Sequence, residues 1–393
     1  MSNPISKIHI ENFKSLSNIS VELNDLNILF GPNGVGKSTF LDTIWFIRDC
    51  ATRGVDLAAT DRDHGIGLLW ENAEPNSHIL ISVETETFTY QLELGFSSGR
   101  IEPFVGEKLL SKLRQITLIE RLVGSDKANF YHNNFKQTQV TLRQPEKLAL
   151  NQYLFFEDNV SEAIDADRLF RFAHLYDVRG ISLYPIQKFG SESGTETWLK
   201  EHGKNLWSVL RNLKDRRALD ARYDTIMEYM RRAFPNFDDV LLEQTGVNTV
   251  YGNFIEKNRR QPIKAIGISD GHLQLLINLT CLFSEGENRD SILLYDEPET
   301  SLHPYAIAIF AQAVEDAVKA WNKQVIIATH SPVLLSQFSA EKIFAGDTDE
   351  KGSTILRRLS EIQEIQDLLE KYAAGSLYMA EAIAPQSHPS GLK

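Results

Sequence analysis

Residues 31–39 read Gly31-Pro32-Asn33-Gly34-Val35-Gly36-Lys37-Ser38-Thr39, a full match to the pattern GxxxxGK[ST]. The flanks supply the context in which that pattern has physical meaning. Upstream, Leu26-Asn27-Ile28-Leu29-Phe30 is an apolar run of strand length, and downstream Phe40, Leu41, Ile44, Trp45 and Ile47 have helical spacing. A glycine-rich turn between strand and helix lets backbone N–H groups wrap a β-phosphate, and the positive end of the helix adds its dipole. Binding of a nucleoside triphosphate, ATP, with Mg²⁺ is therefore expected. Lys37 would reach the β/γ oxygens and Ser38 would ligate the metal, with Asn33, Gly34, Gly36 and Thr39 completing the phosphate-binding set. The alternative is a glycine-rich turn that holds no ligand.

Two further apolar runs end in polar residues. Ser291-Ile-Leu-Leu-Tyr295-Asp296-Glu297-Pro298-Glu299 reads as a parallel strand that delivers carboxylates to the carboxyl edge of a sheet, where open α/β proteins place their ligands. Asp296 would hold Mg²⁺ and Glu297 would polarise an attacking water as general base. Without the glycine loop, such a run would equally be a strand entering a solvated loop. Val325-Ile-Ile-Ala-Thr329-His330 repeats the geometry, so that His330 would hydrogen-bond the γ-phosphate or the attacking water. A fourth stretch, Ile268-Ser269-Asp270-Gly271-His272, precedes the apolar helical run Leu273 to Phe283; by itself it is an ordinary N-cap serine.

Around these motifs the chain of 393 residues has the composition of a globular protein, with 42% hydrophobic and 24% charged residues. A net charge of −12 argues against an overall basic coat for nucleic acid. The distant Cys50 and Cys281 indicate a reducing compartment, and with neither a signal-peptide core nor an apolar stretch of about 20 residues the expected location is the cytoplasm, off the membrane. Strands are expected early: Ile8, Ile10 and Phe13, then the alternation Ile19 to Leu23, then an antiparallel hairpin over 79–94. Helical patterns take over from about Pro145 to Phe234, where Leu219, Tyr223, Ile226, Met227, Met230 and Phe234 form one apolar stripe. The segment 199–232 also carries a basic face that includes Arg211, Lys214, Arg222, Arg231 and Arg232. From 263 to 345 helix and strand alternate, as in a parallel sheet. The expected division is 1–145, the first part of a nucleotide-binding head with a β-rich lobe; 146–245, an inserted α-helical lobe; 246–345, the second part of the head; and 346–393, a strand and helix followed by a tail that frays from Pro385.

The order of the four motifs resembles that of ABC-class ATPases, in which Ser269-Asp270-Gly271 occupies the slot of the signature sequence. Ser-Asp-Gly differs from the transporter form and is similar to the RecF/SMC/OLD-like branch. So are the opening Ile8-His-Ile-Glu-Asn-Phe-Lys-Ser-Leu16, the run Asp296-Glu-Pro-Glu-Thr-Ser-Leu-His-Pro304, Leu199-x-x-His-Gly-x-Asn-Leu206 and Leu369-x-x-Tyr-x-x-Gly375. The resemblance implies an α/β fold, a P-loop ABC-type ATPase head with a mixed sheet. It further implies that Ser269 and Gly271 meet the γ-phosphate held by a partner's P-loop, in a head-to-tail homodimer or an oligomer built on it. Thr300 to His303 fall in the slot of the loop that crosses that interface, and Gln187, after the extended stretch Ile181 to Ile186, is the candidate Q-loop glutamine.

Lys37 and Ser269 lie 232 residues apart, more than a transporter ATPase uses and far fewer than a long coiled-coil arm requires. OLD-like nucleases carry a metal-dependent nuclease domain after the last ATPase strand. About 60 residues follow His330 here and hold no second carboxylate set, so the expectation is a separately encoded effector. The leading reading is an ATP-hydrolysing switch that controls such a nuclease or toxin in anti-phage defence. A RecF-like DNA-binding ATPase, touching DNA through the basic face at 200–232, is the alternative. A transporter subunit and a kinase fit the long insertion and the water-activating Glu297 poorly.

Overall fold

The computed structural model describes residues 4–62, 65–97, 102–132, 136–157, 159–177, 181–245, 247–285 and 291–384; the tail expected to fray from Pro385 lies outside them. The strand Leu26–Phe30 is buried along its whole length because both faces of its sheet are covered. It belongs to a six-stranded sheet in the spatial order Ala173–Asp177, Ile292–Asp296, Gln324–Thr329, Leu26–Phe30, Ile343–Thr348 and Thr354–Arg358. The first five strands run parallel and the last is antiparallel, giving the expected mixed sheet. Alternation along the strands divides the core in two. Ile28, Phe30, Leu293, Tyr295, Val325 and Ile327 face the helical lobe, whereas Leu29, Leu294, Ile326 and Ala328 face the P-loop helix Lys37–Arg53 and the β-rich lobe.

That lobe is an eight-stranded sheet, antiparallel throughout, whose strands between residues 7 and 141 pair in the order 16–22, 7–13, 79–84, 88–95, 104–111, 116–121, 127–131, 137–141. It contains the expected hairpin, with Ile81 opposite Leu92 and Val83 opposite Tyr90. On the other side of the central sheet lie the helices Leu206–Asp215, Arg222–Ala233, Asp270–Phe283 and Pro304–Trp321.

Three expectations need correction. The segment 146–245, read as helical, also supplies the edge strand Ala173–Asp177 and, through Ser191–Glu192 and Phe237–Thr245, part of a separate small sheet. The parallel pairing of Ala173–Asp177 with Ile292–Asp296 decides the strand conformation there. The stretch 181–186 is not extended throughout, because a helix runs from Leu183 to Phe189. Leu219 leaves the apolar stripe and is 85% exposed, since the helix begins only at Arg222. Among the described residues no helix is long and apolar enough to cross a membrane.

The amino ends of three neighbouring strands are tied by buried charge. Lys323, with no exposed surface, places Nζ 3.2 Å from Glu285 Oε2 and donates to Ser291 Oγ at 2.8 Å, while His174 Nε2 lies 2.6 Å from Glu285 Oε1. Burial alone would raise the Glu285 carboxyl, but His174 and Lys323 overcome it and hold the group at about 2, below its ordinary 4.5. A depressed carboxyl contributes stability above its unfolded-state value and loses it as pH falls through the folded one. Glu285→Gln should therefore cost about 3–5 kcal/mol at neutral pH, the usual cost of breaking a buried pair. In denaturant titrations the gap to the unaltered protein should close as the pH is lowered from 4.5 toward 2.

Candidate functional site

Parallel register brings the motifs together. Thr329 is opposite Phe30 and Asp296 is opposite Ala328, so three strands end level and release the glycine loop, the Asp-Glu pair and His330 at one edge. Gly34 and Gly36 have φ of +84° and +90°, a region that side chains with a Cβ rarely enter. A Cβ on Gly36 would lie 2.1 Å from Thr354 Oγ1 and 2.8 Å from Ser15 Oγ, whereas one on Gly34 would meet nothing within 4 Å. The helix from Lys37 carries no side-chain cap at Gly36, which leaves its first N–H groups for an anion. Ser38 and Thr39, both half-buried, occupy its first turn.

Lys37 is buried, and its Nζ donates to the carbonyls of Gly31 at 2.7 Å and Pro32 at 2.8 Å. Burial lowers its pKa, and Asp296, Glu297 and Glu299 oppose the shift. Asp296 is buried at the strand end. Glu297 has φ of +56°, an uncommon conformation for a residue with a side chain and one that marks functional turns. Its N–H donates to the Ala328 carbonyl at 2.9 Å, and its Oε1 lies 3.4 Å from Nδ1 of the half-exposed His330. The loop geometry and oxygen donors fit a triphosphate with Mg²⁺: backbone N–H groups for phosphate, and the Ser38 hydroxyl and Asp296 carboxylate for a hard cation.

The signature stretch lies on the helix Asp270–Phe283, with Ser269 at the N-cap position and its Oγ 2.6 Å from His272 Nδ1. Gly271 is needed for close approach, because a Cβ there would lie 2.6 Å from the carbonyl oxygen of Ser301. Gln187, the candidate Q-loop glutamine, is bonded into this group: its Nε2 donates to Asp270 Oδ1 at 3.1 Å.

Several residues escaped the sequence reading. Glu299, two positions after Glu297, is buried and accepts a hydrogen bond from Thr329 Oγ1, which itself accepts the Ser331 N–H at 2.9 Å. Burial raises the Glu299 carboxyl, the Thr329 bond and His330 opposing. The second glutamate of Asp-Glu-Pro-Glu was the available signal. Tyr378 packs edge-on to Phe30 at 5.3 Å, on the C-terminal helix Ala374–Met379 that Gly375, quoted above in the late motif, seats against the carbonyl of Pro332. A cleft of about 400 Å³ remains between Asn33, His330 and Tyr378.

The chain is similar to known proteins in sequence and in fold. The family described as "AAA domain, putative AbiEii toxin, Type IV TA system" (AAA_21) matches residues 26–336. The chain belongs to this family. It is 22% identical over 372 residues to Endonuclease GajA of Bacillus cereus (strain VD045), covering 88% of this chain and 58% of that protein. It is 42% identical over 71 residues to protein ea59 of Escherichia phage lambda, covering 18% of this chain and 13% of that protein. The chain thus spans less than two thirds of the length of either relative. Its fold is similar to that in the crystal structure of an SmcHead bound to the C-winged helix domain of ScpA, with a TM-score of 0.53 at 12% identity over 90% of this chain and 97% of the other. This AAA_21 domain has a fold like that of an SMC-type ATPase head.

The two glycines can be separated by experiment. Gly36→Ala should abolish nucleotide binding in a titration and destabilise the fold by about 3 kcal/mol or more, by overpacking on top of left-handed strain. Gly34→Ala carries the strain alone, about 1 kcal/mol in the same denaturation assay.

Proposed function

We propose that the chain binds and hydrolyses ATP with Mg²⁺ and acts in the cytoplasm as a homodimeric switch on a separately encoded effector, a nuclease or toxin, in anti-phage defence. The observation that carries this reading is the level ending of three strands, which gathers Lys37, Asp296, Glu297 and His330 at one edge. In this reading Asn33, Gly34, Gly36 and Thr39 shape the phosphate cradle, and Lys37 leaves the Gly31 and Pro32 carbonyls for the β/γ oxygens. Glu297 takes the proton of the attacking water, and His330, 3.4 Å away, holds that water and senses the γ-phosphate. Mg²⁺, held by Ser38 and Asp296, would neutralise charge on the transferred phosphoryl group. Ser269 and Gly271 close the site of a partner subunit, and the exposed start of their helix supports that role.

The effector and the defence role draw support from the toxin in the family's description and the endonuclease in a relative's name. A RecF-like DNA contact at 200–232 has less behind it, because that basic face is largely engaged. Lys214 pairs with Asp239 at 3.0 Å, Arg222 is buried and donates to Asp220 and to the Ser284 carbonyl, and Arg231 donates to the Asp238 carbonyl at 2.7 Å.

Glu297→Gln should keep ATP binding while turnover falls about a hundred-fold or more, and light scattering should show a dimer with ATP that ADP does not support. A variant that hydrolyses normally, or stays monomeric with ATP, would sink the switch. A pull-down with the trapped variant should then retain the effector.

A further inference from the structure

The helix Asp270–Phe283 hides two amides in an apolar run. Gln274 and Asn278 are each 1% exposed, among Leu273, Leu275, Leu276, Ile277 and Leu279, which are wholly buried. A primary amide in such surroundings is costly unless its hydrogen bonds are made. Both are engaged, and in one direction. Gln274 Nε2 donates to Asn278 Oδ1 at 3.0 Å, and Asn278 Nδ2 donates to the carbonyl of Pro298 at 2.8 Å. By occupying Oδ1, Gln274 orients the Asn278 amide so that its N–H faces the loop. The backbone carbonyl of Asn278 accepts the Tyr295 hydroxyl at 3.1 Å, so this residue grips the Asp-Glu strand on both sides of its end.

Pro298 directly follows Glu297, whose left-handed backbone persists only where the surroundings over-determine it. Two of its constraints are local to the sheet and turn: the Glu297 N–H to the Ala328 carbonyl at 2.9 Å, and the Thr300 N–H to the Glu297 carbonyl at 3.2 Å. The Asn278 bond comes from the signature helix. That helix touches the same loop again where Gly271 meets the carbonyl of Ser301. The two contacts bracket the turn, so a displacement of the helix is carried into the backbone that aims Glu297.

We infer that Asn278, oriented by Gln274, is a positioning residue for ATP hydrolysis: it links the signature helix to the water-activating Glu297 of the same subunit. The inference rests on the ATPase reading above and deepens it. A helix whose start closes the partner's site would thereby set the geometry of its own subunit's glutamate, coupling the two sites of the dimer. Misplacement of a reacting group by about 1 Å can cost up to a hundred-fold in rate without weakening ground-state binding; the link should therefore appear in kcat and not in nucleotide affinity.

The test compares the double variant Gln274→Leu/Asn278→Leu with Thr280→Val. The double variant removes the chain of amides without leaving Gln274 unpaired. Thr280→Val removes a buried bond of the same helix, Thr280 Oγ1 to the Leu276 carbonyl at 2.6 Å, that does not reach the loop. The double variant should bind ATP within about three-fold of the unaltered protein yet turn it over about ten-fold more slowly. Its peptide 297–303 should exchange amide hydrogen faster, while Thr280→Val changes neither rate nor exchange there. Equal turnover in the two variants, with unchanged exchange over 297–303, would overturn the link. If the double variant does not fold, Gln274→Met serves instead: it keeps the Asn278 donor but frees its orientation, and should show a smaller loss of kcat with the same local exchange. If the unaltered protein hydrolyses no ATP, the ATPase reading fails by itself, and exchange over 297–303 still decides whether Asn278 holds the loop.

Discussion

The structure depends on the register of three parallel strands. Pairing Asp296 with Ala328 and Thr329 with Phe30 makes Ile292–Asp296, Gln324–Thr329 and Leu26–Phe30 end at one level. A slip of one residue would turn the buried faces over and leave Leu29 and Ile28 in each other's cores. The register is held from below as well as from within. The Lys323, Glu285, His174 and Ser291 cluster ties the amino ends of two of these strands, Ile292–Asp296 and Gln324–Thr329, to their neighbour Ala173–Asp177, so the edge that gathers the carboxylates is braced by charge at the opposite edge.

With the strand ends level, the loops between them carry the conformational cost. Glu297 and Ser301 both have positive φ, as does Gly36. Such backbone is stable because each piece leans on another: Gly36 on Thr354 and Ser15, Gly271 on Ser301, and Glu297 on Ala328. The contacts come from segments far apart in sequence, including the late strand Thr354–Arg358 that abuts the P-loop. The site is therefore a product of the whole head and not of its motifs alone.

This also explains what could be read from the chain without its structure. The Asp-Glu strand and the His330 strand were legible because each is a short buried run with polar residues at its end, and the glycine loop because its pattern sits between such a run and a helix. The antiparallel hairpin at 79–94 was legible for the same reason. Ala173–Asp177 was not, since its strand character comes from pairing with Ile292–Asp296, more than a hundred residues away. Gln274 and Asn278 were absorbed into an apolar helical run, because their purpose lies in Pro298 and nothing in the helical period announces it. Gln187 was noticed for its residue type, but only the fold shows that its amide is bonded to Asp270. The basic face at 200–232 shows the reverse: its charges were visible in the sequence, while the Asp220 and Asp239 partners that engage Arg222 and Lys214 became evident only in three dimensions.

Charge at the site sets a last constraint. One buried lysine faces Asp296, Glu297 and Glu299, and a triphosphate brings more negative charge to the same edge. Two features ease that conflict. Burial displaces Glu299 toward its neutral form, helped by Glu297 and opposed by Thr329 and His330, so it adds less repulsion than its position implies. The helix that begins at Lys37 contributes uncapped N–H groups and the positive end of its dipole where the phosphates would lie. With a triphosphate bound as proposed, a surplus of negative charge would remain between Asp296 and the phosphates, and oxygen donors from Ser38 and Asp296 are the chemistry that would suit a hard divalent cation there. On that proposal the cation and the nucleotide would be mutually dependent: each would make the other's negative neighbours tolerable, and nucleotide affinity at this edge should rise with the availability of the metal.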